Sequence, residues 1–467
     1  MASTYLTRTS GSPTSALKWT FSAWIKNSQV GTGTFILDFN TDTNNRSQIG
    51  FESDGKLTVY EKVSGSTSQL FQTNRLFRDL SAWYHIVVSC DRTLGTASDR
   101  TKIYVNGVRE TSFSASDNPA QNTNGIINTA VNTLIGKYSQ SGVYFNGLLS
   151  HVHFVDGTAY DASTFGSTDN TTGEWKINTS PSITMGTNGF TILKDGNTIT
   201  DQSSNSNNFT VGGGTLTKTE DCPSNVFGTL NALDRHRQNT ADLSPSLFNG
   251  NTTFNTADNN SWKLYARSTI GVTSGKYYWE MKRTTNSAFI IGICYQNYFY
   301  DATAVAHWDQ DAYLACSFQE KGNGNYEFAG KSGDGGIADT SVSSSDGQIL
   351  GFALDMDNYA LYAHLNGTYF AVSGVTGVPT SGASKTGSLL SSFTSGGLSY
   401  VNSGEPVFPF CADINGSGNC RVDANFGNGY FGTTAVSSAG TNASGNGIFE
   451  YDVPTGYTAL TTKGLNL

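Results

Sequence analysis

The sequence predicts an all-β protein of two tandem antiparallel β-sandwich domains, and three observations predict it. Short runs alternate apolar and polar residues with period two. In Leu17–Lys26, Trp19, Phe21, Ala23 and Ile25 share one face, and Thr20, Ser22 and Trp24 the other. The two-residue hairpin signal Asn-Gly stands between alternating runs at Asn106-Gly107 and again at Asn366-Gly367. Finally, 467 residues exceed one sandwich, and 12% aromatics argue against the disorder that 52 Gly and 14% charged residues would otherwise allow.

In chain order, Tyr5–Thr9 opens as a strand and Leu17–Lys26 follows. Phe35–Phe39, Gln48–Glu52, Leu57–Lys62 and Gln69–Gln72 read as further strands, with Asp54-Gly55 as a hairpin turn. The next strand places Tyr84, Ile86, Val88 and Cys90 on one face and His85, Val87 and Ser89 on the other. Thr101–Val105 is its partner. Asn132–Lys137 and Val143–Val155 complete a first domain over 1–167. Residues 168–224 form a Ser/Thr/Asn/Gly-rich bridging segment. Its apolar pieces, Gly189–Leu193 and Asn208–Val211, are expected to join the first domain or to pack between domains. Gly212-Gly213-Gly214 is its expected hinge. A second sandwich spans 225–467, with strands that include Trp262–Ser268, Lys276–Lys282, Phe289–Tyr295, Ile349–Leu354, Leu361–Leu365, Val407–Ala412 and Arg421–Asn425.

The net charge is −9, with no basic stripe, which argues against nucleic acid as a partner. No run approaches a membrane span, so no membrane insertion is expected. The N-terminal MASTYLTRTSGSPTS lacks the charged start and apolar core of a secretory signal, so synthesis in a cytoplasm is expected. The six cysteines form no C-x-x-C unit. Cys90 and Cys294 read as core residues, while Cys411 and Cys420 flank a loop and are a conceivable disulfide.

The stretch WYHIVVSCDRTLGTASDRTKIYVNGV (Trp83–Val108) resembles the strand pair of concanavalin A-like, laminin-G-like jelly rolls. Its wording is similar to repeated domains in structural proteins of tailed phages, marine ones especially. FNGLLSHVHFVDGTAYDASTFG (Phe145–Gly166) matches the expected end of such a jelly roll. GVTSGKYYWEMK (Gly271–Lys282) and GQILGFALDMDNYALYAHLNG (Gly347–Gly367) resemble a SPRY-like sandwich. Together the resemblances cover nearly the whole chain. They imply fold strongly and function weakly, since these sandwiches host many roles.

One glucanase family uses the concanavalin A-like sandwich, and its chemistry needs two carboxylates flanking the scissile bond. The resemblance would demand Glu-x-Asp-x-(x)-Glu along a strand. Glu52-Ser53-Asp54 is the nearest match and lacks the second Glu. Asp355 and Asp357 sit at a hairpin end and read as a solvated turn. His151 and His153 would share a strand face, without an evident third zinc ligand. No Gly-x-Ser-x-Gly elbow and no phosphate loop is present. No cofactor is required by the sequence. Asp38, Asn40 and Asp42 alternate in a way that allows a calcium ion, which laminin-G-like domains often hold, although the helix-loop-helix calcium pattern is absent. The densest binding candidates are Tyr298, Phe299, Tyr300 and Trp308, set among Asp301, Asp309 and Asp311. Trp262 and Tyr265 are further candidates. Aromatic faces of this kind stack on sugars and anchor protein interfaces.

The resemblance implies a non-enzymatic phage virion structural protein, first of all a tail fibre or fibre-associated adhesin contacting host-surface glycans. The alternative is capsid decoration, or the joining of virion proteins without host binding. A glycan-degrading enzyme is the third reading. Expected partners are other virion proteins, a host-surface glycan and further copies in a homo-oligomer. The expected location is the virion.

Overall fold

The computed structural model describes residues 3–194, 198–234, 246–256, 265–285, 289–295, 314–319, 325–330, 337–389, 406–413 and 420–463. The chain divides into two compact units, one of residues 1–218 with 222–224, the other of 219–221 with 225–467. Each pairs two antiparallel sheets face to face, so the fold is all-β.

The first unit carries β1 (Tyr5–Thr9), β2 (Lys18–Asn27), β3 (Thr34–Asp42), β4 (Asn45–Phe51), β5 (Lys56–Val63), β6 (Ser66–Leu76), β7 (Tyr84–Asp91), β8 (Thr101–Val105), β9 (Val108–Arg109), β10 (Phe113–Asp117), β11 (Asn132–Ile135), β12 (Gly147–Asp156), β13 (Gly166–Thr168), β14 (Trp175–Ile177), β15 (Phe190–Ile192) and β16 (Thr210–Gly213). Among the described residues, one sheet runs β10-β6-β5-β4-β3-β11-β1-β16 and the other β15-β12-β2-β7-β8-β9. The period-two alternation sets the core. Trp19, Phe21, Ala23 and Ile25 of β2 and Ile86, Val88 and Cys90 of β7 meet Leu37, Phe39, Ile49, Leu57 and Val59 from the opposite sheet. Each large apolar side chain buried this way stabilises by about 1.5–3 kcal/mol.

The second unit has a sheet in the order Ser246–Phe248, Thr253–Asn255, Arg421–Asn425, Lys276–Arg283, Ile349–Asp355, Ala360–Leu365, Thr368–Tyr369, with Thr458–Ala459 added in parallel to Lys276–Arg283. Its partner sheet runs Tyr265–Arg267, Val407–Asp413, Phe289–Tyr295, Leu314–Gln319, Asn325–Gly330, Ile337–Ser343. Trp279 stacks on Phe352 at 5.3 Å in the core between them.

Both Asn-Gly turns use one device. Asn106 and Gly107 have φ of 46° and 80°, and Asn366 and Gly367 have 48° and 85°. Asn106 Oδ1 accepts from the His85 amide at 2.8 Å, and Asn366 Oδ1 from the Ile349 amide at 2.9 Å. The side chain thus closes the strand end that the turn leaves open.

The bridging segment is not a hinge at its glycine triplet. Its two apolar pieces become edge strands of the first unit, β15 beside β12 and β16 beside β1. Gly212 lies against the Tyr5 ring, where a Cβ would come within 2.3 Å of Cε2. The glycines there allow close approach rather than flexibility. Cys411 and Cys420 are both buried and form no disulfide.

Candidate functional site

The outer face of the first unit's eight-stranded sheet collects the most suitable side chains. Along β5, Leu57, Val59 and Glu61 point inward, so Tyr60 and Lys62 point out and are half-buried. The register carries this phase to the neighbours. Gln48 opposes Tyr60, Arg46 opposes Lys62 and Asn40, and Leu70 opposes Tyr60. The Arg46 guanidinium lies 5.7 Å from the Tyr60 ring centre. A hairpin over 136–145 folds back beside this row, closed by Tyr138 N to Val143 O (3.0 Å) and Phe145 N to Gly136 O (2.9 Å). It sets the half-buried Tyr138 ring 5.0 Å from Phe35. Phe35 in turn covers Gly50, where a Cβ would meet its ring at 2.9 Å. Burial raises the Tyr138 phenol, with nearby Arg46 opposing the shift. Two half-exposed rings, Tyr60 and Tyr138, therefore stand around Arg46 and Gln48.

The candidate calcium residues divide between two jobs. Asp38 is fully buried on this face, opposite Leu134, and its Oδ2 accepts from the Ser139 amide at 2.8 Å. Burial pushes its carboxyl up to about 6, with the Ser139 and Ser47 bonds and Arg46 opposing. Asp42 is exposed in the β3–β4 turn, and its Oδ1 accepts from the amides of Asn44 (2.7 Å) and Asn45 (2.9 Å). Those bonds hold its carboxyl below the usual range. Asn40 is paired with Arg46 across the strands. Calcium asks for six to eight oxygens. One buried carboxylate beside a guanidinium and one already committed to a turn do not fit it. No cluster of three or more His, Cys, Asp or Glu arranged for a metal occurs among the described residues. Asp38 Oδ1, Asn40 Nδ2 and Arg46 Nε are instead buried without hydrogen-bond partners.

Of the aromatic candidates, Tyr298, Phe299, Tyr300, Trp308 and Trp262 lie outside the described residues. Tyr265 is only 3% exposed and packs with Ile290, Cys294 and Phe410, which removes it from the surface. The carboxylate pairs are also apart in role. Glu52 is half-buried while Asp54 pairs with Lys56 at 2.9 Å in the hairpin turn. Asp355, expected in solvent, is buried and holds Lys276 at 3.0 Å, whereas Asp357 is exposed.

The histidines of the first unit serve packing. A bulge between Ser150 and His153 turns His151 to φ 48°, and the His151 and His153 rings lie 6.4 Å apart. His153 Nδ1 bonds Thr191 Oγ1 at 2.9 Å. Trp175 Nε1 donates to His85 Nδ1 at 3.0 Å, so His85 Nε2 carries the proton toward Ser22 Oγ at 2.9 Å. Burial lowers both His85 and His153 to about 3.

Gln48, Tyr60 and Lys62 are off-phase positions of strands that the alternation already marks, so their outward direction is available from sequence, whereas Arg46 falls in what reads as the loop before Gln48–Glu52 and is brought into phase only because β4 starts at Asn45. Nothing in the sequence indicates that Tyr138 folds back over β3.

Comparison with known proteins places the first sandwich. Residues 2–164 match the concanavalin A-like lectin/glucanases superfamily. Solved structures similar to the chain include the SPRY domain of human HERC1, at 12% identity over 42% of this chain and 96% of that one, with a TM-score of 0.26. A heptameric SAP-like pentraxin from Limulus polyphemus is similar at 18% identity, over 41% of this chain and 89% of that one, with a TM-score of 0.28. Domain 4 of AbnA, a GH43 extracellular arabinanase from Geobacillus stearothermophilus, solved with arabinotriose, is similar at 19% identity over 31% of this chain and 63% of that one, with a TM-score of 0.24. No curated protein matches the chain.

Proposed function

We propose that the chain is a non-enzymatic structural protein of a tailed-phage virion, a tail fibre or fibre-associated adhesin whose first sandwich contacts host-surface glycans. The observation that carries the glycan contact is the pair of half-exposed rings, Tyr60 and Tyr138, around Arg46 and Gln48 on an open sheet face. Aromatic surface with a few fixed polar groups is the composition of small-ligand sites. The lectin/glucanase likeness of residues 2–164 supports a sugar as that ligand. The wording of Trp83–Val108 supports the virion setting. Other virion proteins and further copies of the chain are its partners in this reading, and the net charge of −9 speaks against nucleic acid.

The test is binding of the full chain to an array of bacterial surface glycans, repeated with Tyr60→Ala and Tyr138→Ala. Loss of binding in both variants, with unchanged thermal midpoints, is expected. Glycan binding that survives both substitutions refutes the assignment of this face. Cryo-electron microscopy of the intact particle separates the roles: density at the tail is expected, and density on the head shifts the role to capsid decoration.

A further inference from the structure

The second unit holds a cleft of its own, at the end of the sandwich where four turns meet. It has a volume of about 390 Å³, within the range of small-ligand sites. The turn before Lys276, the turn at Asp357, the loop at Ser444 and the turn at Gly456 form its walls. Gly275 and Gly456 have φ of 86° and 88°, which only glycine adopts freely. At Gly456 a Cβ would find nothing within 4 Å, so that wall is open. Parallel pairing of Thr458 with Tyr277 fixes the floor.

Three polar groups in this cleft keep unused bonding capacity among the described residues. Tyr277 is only 4% exposed, yet its hydroxyl has no hydrogen bond within the unit. Asp357 uses Oδ1 to accept from the Gly275 amide at 2.7 Å, which leaves Oδ2 as an acceptor. Lys276 directs one N–H at Asp355 Oδ2, at 3.0 Å, and keeps its other two donors. A donor–acceptor hydroxyl, a carboxylate oxygen and an ammonium together match vicinal hydroxyls, each of which donates and accepts.

We infer that this cleft is a second binding site, for a neutral sugar ring, separate from the sheet face of the first unit. Two carboxylates, Asp355 and Asp357, outweigh the single Lys276 cation and disfavour an anionic ligand. A cationic ligand would have to displace Lys276, which already lies 5.9 Å over the Tyr457 ring. Ser444 Oγ donates to Asn442 Oδ1 at 2.7 Å and accepts from the Asn446 amide at 3.2 Å, which fixes this wall of the cleft.

The experiment titrates the full chain with glucose, galactose, mannose and glucuronate, read by saturation-transfer NMR and calorimetry. At least one neutral sugar is expected to saturate in the millimolar range. Asp357→Asn should weaken it roughly tenfold, the loss expected for a hydrogen bond to a charged group. In the Tyr60→Ala background, which removes the sheet-face site, Ala443→Trp on an exposed loop should fill the cleft and abolish the remaining binding with an unchanged thermal midpoint. The inference is overturned if no neutral sugar saturates, if Ala443→Trp and Asp357→Asn both leave binding unchanged in that background, or if glucuronate binds as tightly as glucose. A loss caused by Tyr60→Ala alone would return all the binding to the sheet face and would also overturn it.

Discussion

Replacing Glu61 by Ala should unfold the first unit more readily than any surface change. Glu61 points inward from β5, and its side chain is fully buried together with that of Arg92. Oε2 holds the Arg92 guanidinium. Oε1 accepts from the backbone amides of Ile126 (3.1 Å) and Ile127 (2.8 Å). Arg92 also donates to Ser68 Oγ at 3.3 Å and to Thr123 O at 3.1 Å, so it ties the sheet to the 120s loop. Removing Glu61 leaves two buried amides unpaired, at about 1–3 kcal/mol each, beside an uncompensated guanidinium. Breaking a buried pair from one side costs about 3–5 kcal/mol, and the two losses overlap, so that range is the expectation. For a unit of this size it lowers the midpoint by roughly 6–20 °C. Calorimetry of the full chain should show one transition displaced and the other unmoved. A loss below about 1 kcal/mol refutes the reasoning. The double substitution Glu61→Leu with Arg92→Met should recover most of the loss, because apolar isosteres remove the stranded charge. A double variant no more stable than Glu61→Ala would show that the stranded charge is not the cause. The same strand shows Tyr60 on its other face, so glycan binding should fail near the lowered midpoint.

Three further outcomes follow from particular contacts. Gly125→Ala would place a Cβ within 2.3 Å of Glu61 Oε1 and 2.5 Å of Arg92 Nη2. It should cost about 1–3 kcal/mol by overpacking, measured by urea unfolding, and a neutral result would mean the loop yields freely. Gly212→Ala meets the Tyr5 ring, so hydrogen exchange at the β1–β16 edge should accelerate, and paired Tyr5→Ala should restore protection. In the second unit, burial pushes Glu280 up to about 7 from an ordinary 4.5, while amide, phenol and carboxamide bonds oppose it. The folded state then holds this proton more tightly than the unfolded one. Its contribution is complete below pH 4.5 and is lost as pH rises through about 7. Denaturant titrations across that window should show stability falling with rising pH, and Glu280→Gln should flatten the slope.

The strands were legible because alternation marks which residues are buried, as at Trp19, Phe21, Ala23 and Ile25. The Asn-Gly turns were legible because few residues adopt two consecutive positive φ angles. Gly212-Gly213 misled because glycine signals both flexibility and close approach, and only the Tyr5 ring decides between them. Asp38 and Asp42 looked alike in sequence. The bulge between Asn40 and Asp42 and the covering Ser139 amide separate a buried carboxylate from a turn cap. Asp355 reads as solvated in sequence because its partner, Lys276, is distant along the chain.

Covering segments decide which sheet faces remain available for binding. In the first unit, Phe165, Trp175 and Met185 close over Val87 and Val155 on the outside of the six-stranded sheet. Gly107 and Gly166 make room for the Trp175 ring, since a Cβ at either would lie under 3 Å from it. Once that face is covered, His85 and His153 must stay neutral and bonded, because an unpaired buried charge is too costly. In the second unit, Phe449, Val453 and Tyr457 close over Tyr278, Ala353 and Tyr362 in the same way. There Gly367 N donates to His364 Nδ1 at 3.0 Å, which leaves the proton on Nε2 for the Tyr278 oxygen at 2.7 Å. Tyr278 donates a hydrogen bond to Glu280 Oε1 at 3.0 Å, and the amides of Glu450 and Tyr451 donate to the same carboxyl group. These networks spend their donors and acceptors inside the protein. Tyr60, Arg46 and Gln48 lie on a face where the hairpin over 136–145 reaches only one side, and they stay half-exposed. Polar groups on a covered face specify the packing of its cover, whereas those on an open face remain free to meet a ligand.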